Sequence, residues 1–167
     1  MLKWLALAAT LWAMPASAKN WYLVATSESR TTAYFIDRDS IVTTSTSLRR
    51  VTAWSVHSTD DSDGTASREL VLEFDCANPR YRFLHLTSYT ASLTVVADDV
   101  GSGTWRTVSS GSLDDSARQF ACSGGIRPTS AKNYGAGNPF KAGRAALSDG
   151  SSSSSGSNAY SGGTNKH

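Results

Sequence analysis

Two cysteines, Cys76 and Cys122, are the only thiols in this chain, and they limit what it can fold into more than any other feature. Their meaning depends on compartment, which the first eighteen residues address. MLKWLALAATLWAMPASA opens with Lys3, runs apolar from Trp4 to Met14, and closes on the small-x-small triplet Ala16-Ser17-Ala18. That is the layout of a secretory signal peptide cleaved after Ala18. A membrane anchor needs about 20 apolar residues, and nothing later in the chain supplies a transmembrane segment. An exported product with two cysteines most simply forms one disulfide, Cys76 to Cys122. No C-x-x-C redox pair and no Cys/His spacing for zinc is present, so neither cofactor nor metal is expected. Closing a loop this long stabilises by about 4 kcal/mol on the chain-entropy argument, a large part of a small domain's total.

Residues 1–18 are thus a leader, 19–122 one folding domain, and 123–167 a separate extension. Beyond Cys122 the chain turns Gly- and Ser-rich, with SDGSSSSSGSNAYSGG at its centre. It lacks sustained apolar periodicity, cannot offset its ordering entropy by burial, and reads as a disordered tail. Residues 19–122 carry 10 Lys and Arg against 13 Asp and Glu, a net of −3, while the tail nets +4. A basic flexible tail suits either a solubilising extension or attraction to an anionic envelope surface.

The folding domain reads as short strands rich in Val, Ile, Thr and aromatics: 20–27, 31–37, 40–44, 48–57, 68–76, 81–90 and 93–98. The gaps leave no room for crossover helices, so the sheet is antiparallel. In 68–76 the even positions Leu70, Leu72, Phe74 and Cys76 form one face; after Asn78-Pro79 the odd positions Tyr81, Phe83 and His85 continue it. The other face then pairs Asp75 with Arg80 and Glu73 with Arg82. The turn at 76–80 stays open between a two-residue and a four-residue loop, because proline holds Asn78 extended.

One helix follows. Ser112 caps it, Asp114 and Asp115 occupy its first turn, and Leu113, Ala117, Phe120 and Ala121 form an apolar stripe within LDDSARQFAC. Since Cys122 ends this helix, a bond to Cys76 pins it against the sheet at the hairpin end. The expected fold class is α+β, a helix layered on one sheet face.

These signals, in this order, resemble the surface-adhesin protein E-like family of bacterial envelope proteins. The resemblance rests on Trp21, YFIDRDSI (34–41), VTAWSV (51–56), LEFDCANPRYRFLHLTSY (72–89) and SGSLDDSARQFAC (110–122). It implies an about six-stranded antiparallel sheet with one C-terminal helix. For the family's named member it also implies outer-membrane display, attachment to host matrix proteins and a homodimer. The present chain departs from that pattern by lacking a lipid-attachment cysteine after the leader and by adding the Gly/Ser tail. A periplasmic or secreted location is therefore expected.

Catalytic signals are sparse. His85 falls on the apolar face by alternation and reads as a core histidine; His57 closes a strand, a solvated position. Asp37 and Asp75 close strands, where carboxylates make turn or cross-strand contacts. G-x-S-x-G and H-E-x-x-H are both missing. Trp21, Trp54 and Trp105 suit a core, or a patch for sugar or peptide. Arg49 with Arg50, and Arg80 with Arg82, suit an anionic-ligand face, although Glu73 and Asp75 account for the second pair. An acidic exported domain is a poor nucleic-acid binder. The resulting expectation is a non-enzymatic envelope protein with a macromolecular partner, a protein or an envelope polymer. The alternative is a periplasmic accessory module for a small ligand or envelope polymer.

Overall fold

A computed structural model describes residues 19–149. The leader and its cleavage point at Ala18 lie outside the described residues, as do 150–167. Nine strands form one antiparallel sheet: β1 Trp21–Thr26, β2 Thr32–Asp37, β3 Val42–Thr43, β4 Leu48–His57, β5 Ser67–Asp75, β6 Arg80–Tyr89, β7 Val95–Val100, β8 Arg106–Thr107 and β9 Lys132–Gly135. The main order is β7-β6-β5-β4-β2-β1-β9, with β3 on β4 and β8 on β6. Helix α1 covers Leu113–Cys122 and α2 covers Pro139–Ser148. The described residues are therefore mostly β, with nine strands rather than six and two helices rather than one. The strands that the sequence pattern does not announce are β8, two residues, and β9, four residues, both too brief to show alternation.

Each sheet face has its own core. Alternation places Tyr34, Ile36, Val51, Ala53, Leu70, Leu72, Phe74 and Tyr81 on one face, where Ala117, Phe120 and Ala121 of α1 bury them. Ser112 caps α1 by accepting from the Asp115 N–H at 3.2 Å, while Asp115 accepts from the Gly111 N–H at 3.1 Å. The Cys76–Cys122 disulfide, with Cα atoms 5.6 Å apart, ties the end of α1 to the end of β5. The opposite face buries Trp21, Ala33, Phe35, Trp54 and Val56 beneath Leu147 of α2.

Strand β9 and helix α2 correct the reading of a disordered tail for residues 123–149; the rest of that tail, 150–167, lies outside the described residues. Locally α2 carries good start signals: Asn138 accepts from the Phe140 N–H at 2.8 Å, and Pro139 stands at the first helical position. Its apolar stripe is short, so its stability comes from the sheet face it covers. Windowed composition hides such an element among glycines and serines.

A second correction concerns His85. Phe83 pairs with Leu72 and His85 with Val71, which leaves Leu84 as an extra residue in β6. The bulge moves every later residue of β6 to the opposite face. His85 therefore joins Glu73 and Arg82 on the α2 face, half exposed, instead of entering the core with Tyr81 and Phe83. Gly101 fits this bulge: its N–H donates to the Leu84 carbonyl at 3.0 Å, and a Cβ there would lie 2.3 Å from the Phe83 carbonyl oxygen.

Candidate functional site: the open sheet face and its edge

Helix α2 packs on β1, β2 and β4, and among the described residues no helix lies over the part of that sheet face formed by β5, β6 and β7. Register sets what that surface presents. Val42, Arg50, Glu73 and Arg82 are cross-strand neighbours over β3, β4, β5 and β6. Leu48, Asp75, Arg80 and Thr107 form the next row. The sequence expectation that Glu73 faces Arg82 and Asp75 faces Arg80 is met, with Cys76–Pro79 as the four-residue turn.

The electrostatics of these rows are layered. The Glu73 side chain is 2% exposed, and it accepts from Arg82 Nε at 2.8 Å, from Arg82 Nη2, and from Thr44 Oγ1 at 2.9 Å; Arg50 approaches within 3.6 Å. Burial pushes its carboxyl up, but the Arg82 and Thr44 hydrogen bonds outweigh burial and leave it below the ordinary value. Asp75 is held lower still, at about 2, first by the Asn78 amide and then, against burial, by Arg80 and the N–H groups of Ala77 and Asn78. Trp105 lies against both arginines, with each guanidinium carbon 4.7 Å from a ring centroid. Carboxylates are thus the floor of this surface, and guanidinium groups with one indole are its outer layer.

The same face ends at β7, which among the described residues pairs with β6 along one side only. Val95, Val96 and Val100 stand out from it, Val100 at 84% exposure. An edge strand carries unpaired N–H and C=O groups that can template a further strand. Exposed valines add apolar surface to that template.

Neither histidine in the described residues holds a serine hydroxyl. His57 Nδ1 lies 3.3 Å from Asp61, and its Nε2 is 2.9 Å from an Arg68 guanidinium nitrogen, so Nε2 accepts from Arg68. Burial lowers the His57 pKa. His85 Nε2 is 3.5 Å from Asp98. The tryptophans divide: Trp21 and Trp54 meet edge to face at 6.0 Å in the core, Trp54 stacks on Tyr89 at 5.1 Å, and Trp105 belongs to the arginine rows. Asp37 makes turn contacts, accepting from the N–H groups of Asn20 and Asp39. Arg49 turns to local backbone carbonyls at Ser45 and Leu48. What sequence reasoning missed was Thr44 on Glu73, Trp105 on the arginines, and β7 as the bare edge.

The sequence pattern of surface-adhesin protein E matches residues 21–123. The chain belongs to the surface-adhesin protein E family. No curated protein and no solved structure matches it.

In this surface-adhesin E-type domain, the matched segment ends one residue after Cys122, so β9 and α2 lie beyond it. They cover Trp21, Phe35 and Val56, which the matched segment alone leaves bare on the second face. The junction is imperfect: a cleft of about 420 Å³ remains between Trp21, Trp54 and Gly137–Pro139, and Trp54 Nε1 is buried without a partner. Lys19 borders the cleft, paired with Glu69 at 2.5 Å. No helix among the described residues is long and apolar enough to cross a membrane.

Proposed function

We propose that this protein is a non-enzymatic member of its adhesin family, exported to the periplasm or beyond, that engages a macromolecular partner through the open sheet face and the β7 edge. The observation that carries the reading is β7 itself, an edge strand whose outer side has no partner among the described residues, with Val95, Val96 and Val100 exposed. Natural sheets usually blunt such edges, so a long bare one is where a partner strand adds. Family membership supports adhesion as the role, and the disulfide suits an oxidising compartment. Self-association by the same edge is the homodimeric version of this contact.

A photo-crosslinking residue at Val100 in living cells tests it. The proposal expects a larger adduct from position 100 and none from Glu28, at the far end of the sheet. Equal labelling at both positions, or none, refutes it. Protease added to intact cells separates display from periplasmic retention, since an untouched protein is not a displayed adhesin.

The small-ligand alternative draws its support from the cleft beside Trp21 and Trp54, where a buried donor lacks a partner. Intrinsic tryptophan fluorescence during titration with envelope extracts fractionated below the size of polymers tests that reading. A spectrum unmoved by every fraction removes it.

A further inference from the structure

We propose that Arg50, Arg80, Arg82 and Trp105 form a binding site for a sulfated polysaccharide. This deepens the reading of the open face as a contact surface, and it uses the charged end of that face rather than β7. The first argument is exposure. The carboxylates of Glu73 and Asp75 are 2% and 3% exposed, whereas the side chains of Arg50, Arg80 and Arg82 are between 31% and 48% exposed. An approaching polymer meets cations, although the domain as a whole is acidic.

The second argument is spare donor capacity held in place. Arg82 gives Nε and Nη2 to Glu73, and Arg80 gives Nε to Asp75 with Nη2 in ion-pair contact at 2.8 Å, so among the described residues Nη1 of each has no protein partner. Guanidinium carries five N–H donors, so a paired arginine still binds a second anion. Carboxylates below and Trp105 alongside fix both side chains, which lowers the ordering cost of binding.

Spacing selects a polymer over a small ion. Arg50 and Arg82 converge on the two oxygens of Glu73, so one anionic group can bridge that pair, while Arg80 stands in the next row on Asp75 and calls for a second. Donors in two successive rows suit successive charged groups on an extended chain. Trp105 adds an indole surface for the C–H faces of sugar rings. Sulfate esters are weakly hydrated and fully ionised across the biological pH range, which matches the weakly hydrated guanidinium.

The test uses the exported chain from Lys19 onward, with immobilised dextran sulfate as probe and dextran and polygalacturonate as comparators. Retention on dextran sulfate, falling steeply with salt, is expected, with little on the other two. Arg50→Gln, which leaves the Arg82–Glu73 pair in place, is expected to weaken binding about fivefold or more; Trp105→Ala is expected to weaken it as well. Lys141→Gln, on α2, should change it less than twofold. Equal losses for Arg50→Gln and Lys141→Gln overturn the proposal, because basicity alone then explains retention. Tighter binding to polygalacturonate at matched charge overturns it too, as does the absence of binding. A Val100 crosslink alongside failed dextran sulfate binding removes this inference and leaves the β7 reading standing.

Discussion

Glu73 of β5 and Arg82 of β6 stand directly opposite each other, and Arg82 directs both Nε and Nη2 to the same carboxylate oxygen. Arg50 reaches the other oxygen from the far side at 3.6 Å, beyond hydrogen-bond distance. The two arginines flank one buried carboxylate, yet their contributions to stability should differ. Arg82→Ala is expected to cost about 2–3 kcal/mol, since it strips charged hydrogen bonds from a buried group. Arg50→Ala is expected to cost under about 1 kcal/mol, as an exposed pair does. Urea denaturation of the two variants checks the contrast, and similar costs would show that Glu73 is not held by Arg82 in particular.

Asp75 gives the fold an acid limit. Its folded pKa, about 2, lies below its ordinary value because Asn78, Arg80 and two backbone N–H groups favour the ionised form. A depressed carboxyl contributes stability that is complete above the unfolded pKa, near 3.9, and disappears as pH falls towards the folded value. The stability gap between the parent and Asp75→Asn should therefore be widest above pH 5 and close between about pH 4 and pH 2. Denaturant midpoints measured across that range decide it; a gap constant down to pH 2 contradicts the account.

The disulfide closes a loop with a sequence separation of 46. Replacing Cys76 and Cys122 together with alanine is expected to lower stability by about 4 kcal/mol through the freed unfolded chain. The change should appear in denaturant midpoints and in faster hydrogen exchange along α1. A loss under about 1 kcal/mol would mean that α1 holds its place by packing alone.

Gly143 brings α2 close against Val56 of the sheet. A Cβ there would lie 2.7 Å from Val56 Cβ and 2.8 Å from Val56 Cγ2. On intrinsic helix propensity alone, Gly143→Ala should stabilise by up to about 1 kcal/mol. The clash is expected to reverse the sign, with a net cost of about 1–3 kcal/mol and α2 pushed off Trp54. Tryptophan emission and limited proteolysis near 136–148 report that movement, and a stabilised Gly143→Ala would refute the packing assignment.

Much of this architecture is legible in the sequence because it is locally encoded. Alternation located β1, β2, β4, β5 and β6 to within two residues at either end, and Ser112 with Asp115 marked the start of α1. Charge alternation on the 73–82 hairpin also pairs Glu73 with Arg82, as the register does. What escaped reading depends on contacts distant in sequence. The Leu84 bulge needs Gly101 to fill it, and a single inserted residue reverses every face assignment after it. Helix α2 needs the Trp21–Phe35–Val56 surface, and no periodicity within 123–149 announces that surface. Trp105 suits either core or binding patch in the sequence, because its partners, Arg80 and Arg82, are remote in the chain.

Short β9 at one margin of the sheet and bare β7 at the other make the molecule directional. Only four residues long and led by Lys132, β9 offers little for a further strand to continue. Stacking of like copies, margin to margin, needs two receptive sides to propagate into a filament. Among the described residues β7 is the one such side, so addition of a like copy there would leave no second side for growth to continue. A chain cut at residue 131 would regain a second receptive side, and with it the capacity for endless addition.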